Sequence, residues 1–156
     1  RINVIGSMVC AREAIRRMST QHGGPGGSIV NLSSVAARLG GAGQYVDYAA
    51  SKGAIESFTV GLARELAADG IRVNAVAPGP VDTEMAKLVH SPEIRRDYHD
   101  AIPLERYGSC EEIANAVGFL CLPEAGYVNG QVLAVDGGFD AAGVGLPTLR
   151  EVQRGN

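Results

Sequence analysis

Three short runs of apolar and β-branched residues alternate along the chain with segments of helical periodicity. The runs are residues 28–33, 71–77 and 132–135. The second run ends at Pro78-Gly79-Pro80 and the third at Asp136-Gly137-Gly138, two turn sequences that stop a strand. Helix and strand in regular alternation predict a parallel sheet covered by helices on both faces.

Three further segments repeat apolar residues at helical spacing. They are residues 4–18, 45–68 and 110–122. Gly70 is placed to end the second of these helices. The Gly-rich segment 35–44 is expected to form a loop, and residues 81–106 are expected to form an exposed excursion with helical pieces. Beyond Phe139 the sequence has no clear period, so we expect a peripheral tail.

The composition is that of an ordinary globular chain and argues against several kinds of partner. Of 156 residues, 46% are hydrophobic and 20% are charged, which excludes extended disorder. No uninterrupted apolar run approaches the roughly 18 residues that a membrane-spanning helix needs. The 14 Lys and Arg against 17 Asp and Glu leave a net charge of -3, whereas phosphate binding needs clustered positive charge. We therefore predict neither a membrane nor a nucleic acid as partner.

The cysteines, Cys10, Cys110 and Cys121, are odd in number and include no Cys-x-x-Cys pair. This pattern disfavours a disulfide framework or a structural zinc site and favours a reducing cytoplasm as the location. We expect the three thiols to be buried as small apolar groups. His90 and His99 are not spaced like zinc ligands either, so no metal site is predicted.

The clearest chemical signal is the pair Tyr48 and Lys52, near the start of the second helical segment. Side chains four residues apart share a helix face, so the phenol and the ammonium group can face one site. A unit positive charge about 5 Å away favours a phenolate by roughly 3 kcal/mol at an effective dielectric of about 20. The spacing therefore predicts a tyrosine that acts as a general acid or base. The alternative is a Tyr–Lys pair on a solvated helix face.

Ligands of open parallel sheets bind outside the carboxyl ends of the strands, and further motifs stand at these positions. They are Asn31-Leu-Ser-Ser34, Pro78-Gly-Pro-Val-Asp-Thr83 and Val135-Asp-Gly-Gly138. Together with Tyr48-x-x-x-Lys52, in this order and spacing, they resemble the short-chain dehydrogenase/reductase family. The resemblance covers residues 1 to about 139. It implies an α/β fold, a Rossmann-like doubly wound parallel sheet, of which this chain holds the later strands and helices only.

The resemblance implies a catalytic role for four residues. Tyr48 would be the general acid/base that passes a proton to or from the substrate oxygen as hydride moves at the same carbon. Lys52 would hydrogen-bond the nicotinamide ribose and bring its positive charge close to the phenol. Ser34 would polarise the carbonyl or alkoxide oxygen. Asn3 matches the asparagine that helps such enzymes hold a proton-relay water.

The resemblance also implies a cofactor, NAD or NADP, held partly by the turn after the second strand. The cofactor-binding candidates are Pro78, Gly79, Val81 and Thr83, with Tyr48 and Lys52 beside them. Prolines and a glycine fix the backbone so that it can face a ligand closely, and the Val81 backbone and the Thr83 hydroxyl would hold the carboxamide. The substrate would be a small-molecule alcohol or carbonyl compound, and the protein a homotetramer or homodimer.

Two assignments have a competitor nearby. Ser33 competes for the serine role, because the loop is one residue longer than the commonest pattern of the family. We prefer Ser34, which stands nearer the mouth of the predicted site. Tyr45 competes with Tyr48, but Ala49 rather than a lysine stands four residues after it.

The sequence supplies only half of a dinucleotide site. In the family, the phosphate-binding Gly-rich turn and the residue that selects NAD or NADP come from the first strands, and no segment here provides either. The chain also begins at Arg1 without an N-cap for its first helical segment. We interpret residues 1–139 as the C-terminal part of a single dinucleotide-binding catalytic domain and residues 140–156 as a Gly-rich C-terminal tail. We expect about 100 further residues upstream, since this piece alone would bury little sheet.

The combined prediction is an NAD(P)-dependent oxidoreductase that interconverts an alcohol and a carbonyl by hydride transfer, with Tyr48 as general acid/base. Residues 84–106 would form a substrate lid whose sequence does not choose among sugars, polyols, steroids and β-keto thioesters. Two alternatives stay open. One is an enzyme of the same scaffold with other chemistry, such as epimerisation. The other is a catalytically silent assembly or regulatory module of the same fold.

Overall fold

The predicted strands form one parallel sheet in the structure, a computed structural model that describes residues 2–43, 45–143 and 146–154. The strands are β1 (Gly27–Leu32), β2 (Ile71–Pro78) and β3 (Val132–Val135), in the order β1-β2-β3. Both pairings are parallel, with Gly27 aligned with Ile71 and Ala75 aligned with Val132, so all three strands run the same way. Their carboxyl ends therefore meet at one edge, and the predicted α/β class is confirmed.

Helices cover both faces of the sheet, as the alternation predicts. They are α1 (Ser7–Met18), α2 (Ala36–Leu39), α3 (Val46–Glu65), α4 (Glu84–Val89), α5 (Pro92–Ala101), α6 (Cys110–Cys121) and α7 (Leu146–Arg154). A π-helical turn at Ile2–Gly6 leads into α1. Among the described residues, no helix combines the length and the apolar character that crossing a membrane would require.

The core lies on the two faces of the central strand β2. On one face, α1 and α3 contribute Ala11, Leu62 and Leu66, which pack against Ile71 and Val73. On the other face, α6 packs Ile113 and Leu120 against Val76. From Val73 to Ala77 every residue is buried, and nearly all are apolar, which is typical of a strand covered on both sides.

Several local predictions differ from the structure. The segment 35–44, predicted as a loop, contains the short helix α2. Helix α3 ends three residues earlier than predicted, and a 3-10 turn at Ala67–Asp69 follows it. Gly70 then closes the segment at a φ of +71°, a left-handed conformation that a glycine adopts without strain. The prediction that the cysteines are buried is wrong, since all three thiols are exposed.

The tail is also more ordered than predicted, because α7 packs against the end of α5. Arg150 of α7 is buried, and its guanidinium donates hydrogen bonds to the backbone carbonyls of His99, Asp100 and Ile102. It also pairs with the Glu105 carboxylate at 3.2 Å. A cation at the C-terminal end of a helix satisfies carbonyls that have no partner within the helix. Residues 146–154 thus hold α5 in place.

Helix α6 begins with a capping box. The Ser109 hydroxyl accepts from the Glu112 backbone N–H at 3.1 Å, and the Glu112 carboxylate accepts from the Ser109 N–H at 2.8 Å. The Arg106 guanidinium forms two hydrogen bonds with the same carboxylate, at 2.6 and 2.8 Å. These donors, the guanidinium first, lower the pKa of Glu112 from 4.5 to about 2.

We expect the capping box to make stability depend on pH. Because the pKa of Glu112 is lower in the folded chain, its stabilisation is complete above about pH 4.5 and is lost as the pH falls through about 2. Glu112→Gln should therefore lower the urea midpoint at pH 7, and the difference from wild type should shrink below pH 4.5. Glu111→Gln, which leaves the box intact, is the control. A constant difference from pH 7 to pH 2 would contradict this assignment.

Candidate active site

A cavity of about 700 Å³ opens at the carboxyl ends of the strands. It brings together residues from the end of β1, the first turns of α3 and the turn after β2. The predicted residues that line it are Ser34, Tyr48, Lys52, Pro78, Gly79, Val81 and Thr83. Segments far apart in sequence thus meet at the edge where an open parallel sheet binds ligands.

Tyr48 and Lys52 lie on the same face of α3, as their spacing predicts. The Lys52 Nζ is 5.7 Å from the centroid of the Tyr48 ring, and Tyr48 is 39% exposed. The Nζ also donates to the Leu32 carbonyl at 2.8 Å, at the last residue of β1. An ammonium group has three donors, so this bond leaves two available. Burial lowers the pKa of Lys52 from its ordinary value.

The two competing serines differ in how their hydroxyls are used. The buried Ser33 donates to the Glu56 carboxylate at 2.9 Å and lies 3.3 Å from the Lys52 carbonyl. The Ser34 Oγ instead accepts from the Ala36 backbone N–H at 3.2 Å. An accepting hydroxyl keeps its own proton for another partner. The geometry therefore favours Ser34 as the donor to a bound oxygen.

The turn after β2 packs against the last residue of β3 and the residue that follows it. The Gly79 N–H donates to the Val135 carbonyl at 3.1 Å. A Cβ on Gly79 would lie 2.7 Å from the Cβ of Asp136, so only glycine fits there. Beyond the turn, the Thr83 hydroxyl caps α4 by accepting from Ala86 N–H at 3.1 Å, which again leaves its proton free.

Asn3 does not line this cavity. It borders a second cavity on the other side of Lys52, between α1 and β1. The Asn3 Nδ2 donates to the Ser51 hydroxyl at 3.1 Å, and the Ser51 hydroxyl donates to the Tyr48 carbonyl at 2.7 Å. Asn3 therefore contacts the helix that carries Tyr48 and Lys52 without reaching the cavity that they share.

Sequence reasoning missed an aromatic wall opposite the strand ends. Tyr45, His90, Tyr98 and Phe139 all line the cavity. The Tyr45 and Tyr98 hydroxyls lie 3.2 Å apart, and Tyr98 stacks on His90 with the ring centroids at 5.3 Å. Tyr45 and Phe139 lie far in sequence from the predicted lid of residues 84–106, so no local sequence signal indicated this wall.

Comparisons with known proteins agree with this fold. The family model described as "Enoyl-(Acyl carrier protein) reductase" matches residues 1–140. The chain is 50% identical over 136 residues to the uncharacterized oxidoreductase YgfF of Escherichia coli, covering 87% of this chain and 55% of that protein. It is 43% identical over 138 residues to the 3-oxoacyl-[acyl-carrier-protein] reductase FabG of Aquifex aeolicus, with 88% and 54% covered. The chain thus spans about half the length of these curated relatives.

Solved structures show the same likeness. A gluconate 5-dehydrogenase from Burkholderia cenocepacia, solved with NADP and tartrate, superposes with a TM-score of 0.82 at 34% identity, covering 90% of this chain and 54% of that one. A short-chain dehydrogenase/reductase double mutant from Serratia marcescens gives a TM-score of 0.80 at 40% identity over the same shares. From its sequence match over residues 1–140 and its parallel sheet, the chain belongs to the short-chain dehydrogenase/reductase family.

Proposed function

We propose that this chain forms the nicotinamide end of the active site of an NAD(P)-dependent oxidoreductase that interconverts an alcohol and a carbonyl compound. One observation carries the proposal: Ser34, Tyr48 and Lys52 line a single cavity together with the turn that follows β2. The relatives support it, because they are named as oxidoreductases, reductases and dehydrogenases, and one was solved with NADP.

The donors in the cavity fit the nicotinamide ribose and the carboxamide of NAD(P). Lys52 has two N–H donors left after its bond to Leu32, which suits the hydroxyls of a ribose. The Thr83 hydroxyl keeps its proton, which suits a carboxamide oxygen beside the Val81 backbone. Pro78 and Gly79 give this wall a fixed backbone against which a flat ring can lie.

When bound, NAD(P) supplies or accepts the hydride at the substrate carbon. The Tyr48 phenol donates a proton to the carbonyl oxygen in reduction and takes it back in oxidation. The Ser34 hydroxyl donates a hydrogen bond to the same oxygen, where negative charge develops. Lys52 places a positive charge 5.7 Å from the centroid of the Tyr48 ring, where it would stabilise negative charge that develops during the proton transfer.

Asn3 takes a supporting role in this proposal. It lies across Lys52 from the main cavity and bonds to Ser51, on the same helix turn. The Asn3 amide could hydrogen-bond a water in the second cavity, and that water would pass protons between Lys52 and the solvent.

We also propose a homo-oligomer, a tetramer or a dimer, located in the cytoplasm. Apolar side chains stay exposed on the helix that starts the chain and on α3. These are Ile2, Ile5, Met8, Val9, Val46 and Val60. Apolar surface grouped in this way is typical of a face that another subunit covers.

Titration with NADH and NADPH tests the proposal. In protein expressed from the full coding sequence, we expect saturable enhancement of nicotinamide fluorescence with one of the two cofactors. Lys52→Met should weaken that binding by about 10–100-fold, the range for losing a hydrogen bond from a charged donor. Lys87→Met, which removes an exposed lysine paired with Glu84 outside the cavity, is the control. If neither cofactor binds, the proposal is wrong and a catalytically silent module is favoured.

A further inference from the structure

The hydroxyls of Tyr45 and Tyr98 contact each other on the cavity wall, and the proposed chemistry uses neither of them. Tyr45 lies just before α3 and Tyr98 lies on α5, and both line the cavity. Their hydroxyl oxygens are 3.2 Å apart, with either one able to donate. The pair joins the helix of Tyr48 to the lid across 53 residues of sequence.

The two phenols have one proton more than their shared bond needs. Each hydroxyl carries one O–H donor, and only one can lie between the two oxygens. Within the described part of the chain, neither hydroxyl has another hydrogen-bond partner. Burial, followed by the contact with Tyr45, raises the pKa of Tyr98, so this phenol stays protonated at working pH. One O–H therefore remains for a ligand.

Both rings are held in place, so the available donor has a defined position. The Tyr45 ring packs edge-on against Tyr48 with centroids 6.0 Å apart, and it lies over Gly41, where an added Cβ would meet it at 2.6 Å. The Tyr98 ring stacks on His90 and meets Phe139 edge-on. A donor fixed by packing on two sides loses little freedom when it binds a partner.

The charged residues of the cavity indicate which kind of ligand group accepts from this O–H. Of its described lining residues, Lys52 is the only Lys, Arg, Asp or Glu, and it lies beside Tyr48. The wall around Tyr45 and Tyr98 is otherwise apolar or aromatic, apart from the His90 imidazole, whose Nδ1 is hydrogen-bonded to the Tyr107 hydroxyl at 2.9 Å. A carboxylate bound there would be desolvated without a cation to pair with it, which is costly. An uncharged oxygen needs only the one donor that the pair offers.

We propose that Tyr45 and Tyr98 bind a second, uncharged oxygen of the substrate, apart from the oxygen that reacts at Tyr48. The substrate class is then a hydroxy- or oxo-substituted ketone, or the corresponding alcohol, rather than a plain alkyl ketone. This inference rests on the proposed oxidoreductase function. It adds to that function a pair of residues that determine specificity.

Two pairs of ketones, matched in the number of carbon and oxygen atoms along the chain, test the inference. Ethyl acetoacetate is compared with 2-heptanone, and 1,3-dihydroxyacetone with 3-pentanone, by steady-state reduction with the cofactor that binds. In at least one pair we expect kcat/KM to be about tenfold or more higher for the oxygenated ketone, since a site built around a polar group rejects the analogue that lacks it. Tyr98→Phe and Tyr45→Phe, which keep the rings, should each lower that ratio by about tenfold.

Tyr127→Phe is the matched control, because Tyr127 is fully exposed and lies outside the cavity. It should leave the ratio unchanged. If wild type reduces both members of each pair equally, or if both cavity variants keep the wild-type ratio, the inference is wrong while the oxidoreductase function stands. If no ketone is reduced with either cofactor, the proposed function fails, and the inference fails with it.

Discussion

We expect Tyr48→Phe to lower kcat by about 10²-fold or more, with little change in cofactor affinity. The reason is that the substitution removes only the phenolic O–H, the group that we propose exchanges a proton with the substrate oxygen. The ring stays, and with it the edge-on contact with Tyr45 and the position near the Lys52 ammonium. Steady-state kinetics and nicotinamide fluorescence, measured on the same preparation, check both halves of the expectation.

Tyr127→Phe is again the control, since it removes a phenol that is fully exposed. Turnover of Tyr48→Phe close to that of wild type would show that another group moves the proton. The nearest candidate would then be Tyr45, whose ring is 6.0 Å from that of Tyr48. An equal loss of turnover and of cofactor binding would instead indicate that the substitution disturbs the cavity as a whole.

Replacing Arg150 with Met lowers the free energy of unfolding by about 2–3 kcal/mol. The guanidinium is buried, and it is a shared donor for the carbonyls of His99, Asp100 and Ile102 at the end of α5. Methionine fills similar space but donates no hydrogen bond, so these three carbonyls lose the guanidinium as a donor. Urea unfolding followed by far-UV circular dichroism measures the difference.

The matched control for Arg150 is Arg96→Met on α5. Arg96 is exposed and pairs with Glu93 one turn away, a surface interaction worth less than about 1 kcal/mol. If Arg150→Met were no less stable than Arg96→Met, α7 would contribute nothing to holding α5. The assignment of residues 146–154 as part of the folded domain would then be wrong.

The sheet and its main helices could be predicted from the sequence, because their signals are local. Strand β3 occupies the predicted residues, and α6 differs from its prediction by one residue. Tyr48 and Lys52 share a face because four residues make about one helical turn. Ser34 and Thr83 reach the same cavity because parallel strands end at one edge.

The remainder depends on contacts between distant segments, which local patterns do not reveal. The hydrogen bond of Tyr45 with Tyr98 spans 53 residues. Helix α7 was not predicted, because the glycines before it indicated an irregular tail. The burial of Arg150 depends on its hydrogen bonds to carbonyls at the end of α5. The cysteines stand on helix faces that the rest of this chain does not cover, so their apolar character gave a wrong prediction.

The close fit of Gly79 over Asp136 determines how the cavity responds to a ligand. Because Asp136 already fills the space behind Gly79, this turn keeps the same position whether or not a ligand occupies the cavity. Helix α4 is different, since Met85, which also lines the cavity, is largely exposed and has room to shift. Binding should therefore order α4, and the entropic cost of association falls on this one short helix, while the turn after β2 and the Tyr45–Tyr98 pair are preorganised.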